Sequence, residues 1–374
     1  MTSEQRVIVH LGLLDHIGST TGIKLVHACK RVGIALTNLY HFSVADFVAL
    51  GLSLEYATAL QNGLANQKIL DLELALIDKH RVHILFCDDQ SYPHFLRNSY
   101  LPPLFLYVRG GAVPGGEQSV AIVGSRHGTA YGRACIQKLM PGIAEKNWTV
   151  VSGGARGIDA MAHEAALVYD VQTLVVLGSG LLQPYPAEHK KLFDRVAEAG
   201  GCIITPFAMN AMPDAWHFPA RNRIIAGLSR GVVVVQAARK SGAHTTALFA
   251  LDYGREVFAV PGSVDDPLSA GCHWLLRQGA HVFTGVDDLW REVDPSTLKM
   301  TGVDLVGQKR LKIQQKTIFG PREQIIELCR DGACVDDIIF SLNLPLDRVH
   351  QEIFALQLDG IIQQDFSGLY RLHG

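Results

Sequence analysis

Four loops of the 374-residue chain bring together glycine, hydroxyl and arginine groups, the set that holds phosphate. The first is Val120-Ala-Ile-Val-Gly-Ser-Arg126, and Val150-Val-Ser-Gly-Gly-Ala-Arg-Gly-Ile-Asp159 echoes it. In each, a β-branched run reads as a buried parallel strand, stops at small residues and an arginine, and passes into a helical pattern. Glycine lets the backbone approach an anion, N–H groups at a helix start point at it, and arginine adds bidentate charge-assisted hydrogen bonds. Arg221-Asn-Arg223 and Ser241-Gly-Ala-His-Thr-Thr246 are the other two loops. One Gly-Ser-Arg is common in ordinary strand-to-helix turns, but four such loops on one sheet edge predict an anion site.

Each loop also has a plainer reading. Arg126 could pair with a surface carboxylate, Arg221 and Arg223 could form a first helical turn without a ligand, and Ser241 to Thr246 could cap a helix beginning near Thr245. Arginine is unfavourable at the positive end of a helix unless an anion is near, which favours the phosphate reading. Capping and phosphate contact are compatible. Asp159 and His163, four apart on one helix, either orient a base or make an i, i+4 contact that supports the loop. Conventional catalytic signatures are missing: there is no Gly-x-Ser-x-Gly elbow, His-Glu-x-x-His pair, Walker lysine motif or metal-spaced Cys/His cluster. The expectation is a binding protein with no catalytic residue, metal or cofactor.

The elements that position these loops follow from periodicity. From 118 to about 285, strand candidates at 119–124, 148–152, 172–178, 201–206, 231–236 and 256–260, with a weaker one at 281–284, alternate with helical segments. Those helices are expected at 131–146, 158–169, 188–199, 221–229, 245–253 and 270–278. The fold class is therefore α/β, an extended Rossmann-like doubly wound parallel sheet, whose ligands sit beyond the carboxyl ends of the strands. Within 118–285, 15 Lys or Arg outnumber 12 Asp or Glu, a surplus of positive charge within a chain of net charge −2.

Ahead of it, 1–68 reads as a small helical module with Ser43 and Ser53 placed as caps. Its Leu-x-x-Ile-Gly pattern fits a helix-hairpin-helix turn or a glycine-terminated αα-corner. Residues 69–117 read as a connecting region with extended segments at Val82-His-Ile-Leu-Phe86 and after Pro102-Pro103, which forbid a helix there. A polar linker with a basic stretch at 309–316 occupies 291–320, its polar character starting near 286. The segment 321–374 reads as three helices and a two-stranded wing at 360–364 and 368–372, a winged-helix pattern. Such modules often bind DNA, yet this one carries four arginines against nine acidic side chains, and its third helix, 346–359, has one arginine and three acids. Protein contact or structural packing fits that charge better than duplex reading.

Overall composition excludes disorder, with 48% hydrophobic residues, and the formal net charge of −2 gives no global sign of a polyanion binder. Seven scattered cysteines without a Cys-x-x-Cys pair read as reduced thiols. No run approaches a membrane span and the start has no signal-peptide pattern, so the expected location is the cytoplasm, with no membrane partner.

In order, Tyr92-Pro93, Pro103-Leu-Phe-Leu-Tyr-Val-Arg-Gly110, Ile122-Val-Gly-Ser-Arg126, Tyr131-Gly132, Ser152-Gly-Gly-Ala-Arg-Gly-Ile-Asp-Ala160 and Gly178-Ser-Gly180 make up a characteristic series. Tyr185-Pro186, Phe218-Pro-Ala-Arg-Asn-Arg-Ile-Ile-Ala-Gly-Leu-Ser229, Ser241-Gly-Ala-His-Thr-Thr-Ala247 and Val257-Phe-Ala-Val-Pro-Gly262 continue it. The series resembles the DNA-processing protein A (DprA/Smf) family of bacterial natural transformation over about 92–285. The ends are similar in kind, a SAM-like helical module before and a winged helix after. The resemblance implies an extended Rossmann domain that binds single-stranded DNA, forms a homodimer, protects incoming strands and helps load the RecA recombinase. It implies a strand-binding pocket lined by Ser125, Arg126, Ser152, Gly153, Gly154, Arg221, Asn222, Arg223, Gly242 and Thr245, extended by Lys190 and Lys191. Three motifs depart from the family pattern: Gly154 for a leucine, Thr205-Pro206 for a Ser-Glu pair, and Gln236 for a glutamate. A different class stays open, a nucleotide sensor or phosphoribohydrolase-like enzyme using similar loops. Such enzymes carry a Pro-Gly-Gly-x-Gly-Thr-x-x-Glu stretch, which this chain lacks.

Overall fold

Hydroxyl caps set the first helices. Thr2 opens α1 (Ser3–Gly12) with a reciprocal capping box to Gln5, and after α2 (Ser19–Val32) Ser43 does the same with Asp46 for α3 (Val44–Ala49). The Ser53 side chain accepts from Tyr56 N at the start of α4 (Leu54–Ala65), as its position in the sequence predicts. A further helix, α5 (Gln67–Lys79), begins where the connecting region was expected. The computed structural model describes residues 1–14, 17, 19–100, 102–293 and 321–330, and scattered positions from 342 to 372.

Residues 83–86 and 105–110 are part of the sheet. After α5, β1 (His83–Phe86) and, beyond the short α6 (His94–Arg97), β2 (Phe105–Gly110) form an antiparallel pair, and β2 runs antiparallel to β6 (Cys202–Thr205). The pairing is non-local, so the extended backbone before β2 signals a strand without revealing its partner.

The parallel part follows the expected alternation. It contains β3 (Ser119–Val123), α7 (Ala130–Glu145), β4 (Thr149–Ser152), α8 (Ile158–Val168), β5 (Thr173–Val176) and α9 (Lys190–Glu198) before β6. It continues through α10 (His217–Gly227), β7 (Gly231–Val234), α11 (Ala243–Asp252), β8 (Glu256–Ala259), α12 (Ala270–Arg277), β9 (His281–Val282) and α13 (Val286–Val293). The nine-stranded sheet is ordered β1-β2-β6-β5-β4-β3-β7-β8-β9. β3 pairs in parallel with both β4 and β7, in register Val120 to Val150 and Val120 to Gly231. The chain builds outward from β3 to β6 and then returns to β3's other side, which makes β3/β7 the topological switch point.

Side-chain alternation along β3 divides the core: Val120 and Ile122 pack with α7 and α8 residues on one face, Ala121 and Val123 with α10 and α11 residues on the other. The helical module shares a third core with Phe86, Phe105 and Tyr107, so its helices rest on the sheet's β1/β2 end. α13 stands where a polar linker was expected to begin, because Leu289, Trp290 and Val293 bury one helical stripe.

Met1–Thr301 and Gly302–Gly374 are separate compact units. In the second, α14 (Pro321–Leu328) contributes Ile325 to a small core with Val349, Ile353 and Tyr370, and β10 (Ile362–Gln364) pairs antiparallel with β11 (Tyr370–Leu372) at the expected wing. The basic stretch 309–316 and most of the expected third helix, 346–359, lie outside the described residues. Among the described residues no helix is long and apolar enough to cross a membrane.

Candidate nucleic-acid interface

The loops after β3 and β7 meet the second turn of α10 at the switch point and enclose a cleft of about 360 Å³. Helix phase decides which α10 side chains enter it. At 100° per residue, positions 218, 221, 222 and 225 share a face, and Phe218, Arg221, Asn222 and Ile225 line the cleft. Arg223 is turned about 200° from Arg221, and its guanidinium lies 5.1 Å from the Phe249 ring centroid on α11. The two arginines of Arg221-Asn-Arg223 therefore serve different surfaces.

Arg221 is a buried residue and, contrary to the sequence expectation, does not open its helix. α10 starts at His217, earlier than the predicted 221, because Pro219 is tolerated within a first helical turn. Arg221 thus falls in the second turn and points under the strands. Its Nη1 donates to the Val176 carbonyl at 3.1 Å and stands 3.9 Å from Asp159 Oδ2, with both side chains less than a tenth exposed. Burial pushes the Asp159 carboxyl upward, opposed by Arg221 and by the Ala155 and Gly153 N–H groups. Asp159 does not contact His163 as an i, i+4 pair. Instead His163 Nδ1 bonds Thr173 Oγ1 at 2.8 Å, and burial lowers its pKa to about 3, so this imidazole is neutral.

Arg126 is the exposed counterpart. Its guanidinium sits 5.4 Å from the Phe218 centroid, and Arg221 approaches the same ring at 6.0 Å. Among the described residues Arg126 has no carboxylate partner, and its charge disfavours the charge on Arg221. Two cations converging on one aromatic ring set up a field that favours an anion. Arg156 differs, since its guanidinium is paired with Glu188.

Ser125 belongs to the turn: its N–H donates to the Gln236 carbonyl (2.7 Å), and its hydroxyl accepts from His127 N (3.0 Å). Ser152 is fully buried, and its hydroxyl donates to the Ile122 carbonyl. Gly153 makes space for Arg221, since a Cβ there would fall 1.3 Å from Nη1. Gly154 has φ +66°, a left-handed conformation that suits glycine, and its carbonyl is bonded by His189 Nδ1 at 2.9 Å. Asn222 lines the cleft and donates to the Gly242 carbonyl at 3.3 Å. On α11 it is Thr246 that faces the cleft with Gly242, because the helix begins at Ala243, two residues before the expected start; Thr245 is outside the lining. Lys190 and Lys191 are exposed in the first turn of α9, beyond the Tyr185-Pro186 rim of a small recess beside Arg126. Sequence reasoning missed Lys240 and Phe218 as lining residues. Both stand within or beside the quoted motifs, and Lys240 directly precedes Ser241 on the loop after β7.

Of the departures, Gln236 Oε1 accepts from both Thr129 N–H (3.0 Å) and Thr129 Oγ1 (3.1 Å), a task a glutamate would also perform. Thr205 Oγ1 donates to the Ser179 carbonyl at 2.8 Å.

A family model described as DNA recombination-mediator protein A matches residues 83–294. The chain belongs to this family. DNA processing protein DprA of Bacillus subtilis is 38% identical over 229 residues, covering 61% of this chain and 77% of that protein. The X-ray structure of DNA processing protein A from Streptococcus pneumoniae superposes with a TM-score of 0.66 at 29% identity, covering 78% of this chain and 98% of that one. DNA processing protein A from Helicobacter pylori, whose structure was described for its unique single-stranded DNA binding mode, gives 0.51 at 28% identity, covering 59% and 96%. The matched span includes the sheet from β1 to β9, so β1 and β2 are part of the family's shared fold.

Proposed function

We propose that this chain binds single-stranded DNA without sequence preference in the β3/β7 cleft, protects incoming strands and helps load the RecA recombinase during natural transformation, acting as a cytoplasmic homodimer. The observation that carries this reading is Arg126, an exposed guanidinium without a carboxylate partner among the described residues, set over Phe218 at the switch point beside buried Arg221. In this reading Arg126 and Lys240 hold phosphates, Asn222, Gly242 and the Ser125 turn shape the cleft, Arg221 and Gly153 form its floor, and Lys190 and Lys191 extend the path along the same edge. Phosphate contacts of this kind fix the backbone and leave bases for stacking. Membership in a recombination-mediator family and the single-stranded DNA binding of the Helicobacter pylori relative support it. The helical module 1–68 and the winged-helix tail 321–374 flank the binding domain, the acidic tail as a protein-contacting element.

Asp159 is the one carboxylate lining the cleft among the described residues, and Arg221 faces it, which fits binding better than carboxylate catalysis. Fluorescence anisotropy with labelled oligo-dT, beside thermal shift with mononucleotides, tests the reading. Nanomolar to micromolar strand binding without nucleotide stabilisation is expected; stabilisation by a nucleotide without strand binding would replace it with the sensor or phosphoribohydrolase-like reading.

A further inference from the structure

A second cleft, of about 820 Å³, opens on the other side of the start of α10. Its walls are the end of α1 around Leu11, the approach to β2 at Pro103 to Phe105, and the loop from Pro206 to His217. The lining is apolar, and Asp214 is its one acidic or basic side chain apart from histidine. Phosphate has no partner in such a groove, but flat apolar rings do.

Two aromatic surfaces already stand there. Phe207 and His217 are stacked, with centroids 3.9 Å apart and planes at 24°. Trp216 lies on the rim, 84% exposed, its backbone fixed by an N–H bond to Asp214 Oδ1 at 2.9 Å. The loop is anchored on α5, because the Glu73 carboxylate accepts from Met209 N–H at 2.7 Å. The other tryptophans are less exposed: Trp148 and Trp290 are buried against each other, and Trp274 is half-buried against His244.

The connection to the phosphate cleft is covalent and short. Trp216 and His217 line this groove, while Phe218, the next residue, carries Arg126 and Arg221 on its ring. Consecutive Cα atoms are about 3.8 Å apart, so a strand crossing the start of α10 passes directly from one surface to the other. We propose that this groove is a base-stacking site: nucleobases of the strand whose phosphates lie at Arg126 and Lys240 stack on Trp216 and on the Phe207–His217 pair. This rests on the strand-binding reading of the neighbouring cleft. It adds that the helical module, through the Leu11 wall, forms part of the strand path.

Tryptophan emission and anisotropy of the full chain with oligo-dT of about 20 nucleotides, longer than one single-strand module covers, test the inference. Stacking should quench emission in the wild type, and Trp216→Phe should remove most of the quench while keeping affinity. Trp216→Ala should weaken oligo-dT about tenfold. An abasic strand of equal length keeps every phosphate and offers no ring, so it should bind the wild type and Trp216→Ala equally. Binding that depends on Arg126 but is unchanged in Trp216→Ala, with the quench retained in Trp216→Phe, overturns this inference alone. Absence of any oligo-dT binding by the wild type removes the parent reading as well. If Trp216→Ala alters self-association in sedimentation and not oligo-dT affinity, the groove takes a protein segment and the base-stacking proposal fails. Since Trp216 is exposed, its variants should retain the wild-type melting temperature.

Discussion

Asp159 Oδ2 and Arg221 Nη1 face each other at 3.9 Å across the floor of the β3/β7 cleft, both side chains almost wholly removed from water. The carboxylate comes from the first turn of α8 and the guanidinium from the second turn of α10, so the pair ties together two elements that the sheet keeps on opposite faces. Gly153 completes it, since any side chain there would displace the guanidinium.

Removing one partner strands the other charge in a poorly solvated place. Arg221→Met should destabilise the fold by about 3 kcal/mol, and Asp159→Asn with Arg221→Met should recover part of that loss. Urea midpoints of the two single variants and the double variant measure the coupling. Strict additivity would show that the pair is not coupled.

Arg126 should behave in the opposite way, because it is exposed and makes no ion pair among the described residues. Arg126→Ala should leave the melting temperature unchanged and weaken oligo-dT binding by about 1–3 kcal/mol. Lysine should rescue only part, for want of the bidentate fork. Log affinity should fall with log salt by about 0.7 for each phosphate held, and Lys240→Ala should flatten that slope by about the same amount. A salt slope near zero is incompatible with the phosphate cleft.

Much of this fold is legible because a parallel sheet covered on both faces writes its strands as continuous β-branched runs, such as Gly231-Val-Val-Val-Val235. The switch-point loops announced themselves by glycine and arginine for the same reason, being where strands stop. Orientation was harder to read. Whether Arg221 or Arg223 enters the cleft depends on helix phase, and Pro219 concealed the turn before Arg221. The partner of β2 was hidden because antiparallel pairing to β6 joins segments far apart in sequence. His163 showed the same limit, since its true partner, Thr173, lies on a neighbouring strand and not on its own helix.

The sheet's far edge carries a pH-sensitive contact. His281 Nε2 lies 2.9 Å from Glu256 Oε2, and Nδ1 lies 3.9 Å from Glu292 of α13. The bond to Glu256 raises the His281 pKa above 6.5 against the opposing effect of burial, and the same bond lowers Glu256 below 4.5. A raised histidine pKa stabilises the fold fully below 6.5, and the contribution is lost as pH rises through the folded value. A lowered carboxylate contributes fully above 4.5 and is lost as pH falls through its folded value. The pair therefore acts between about pH 4.5 and 6.5. The side chains are 36% and 45% exposed, so water screens them, and His281→Gln should cost no more than about 1 kcal/mol at pH 6. Urea unfolding of wild type and variant should differ at pH 6 and converge near pH 9. An equal difference at both values would exclude the ionic contribution.

The tail sets a last test of where the strand runs. From Pro321 onward four arginines face nine acidic side chains, so its field opposes a polyanion. Met1–Thr301 is a compact unit of its own and holds every residue assigned to the phosphate cleft and to the base-stacking groove. Deleting 321–374 while keeping the basic stretch 309–316 should leave oligo-dT affinity within a few-fold of the full chain. Anisotropy at matched salt reads this directly, with the melting temperature and sedimentation of the shortened chain as controls. A loss beyond tenfold, about 1.4 kcal/mol, in a protein that stays folded and keeps its oligomeric state would place the strand on the tail, against the sign of its charge.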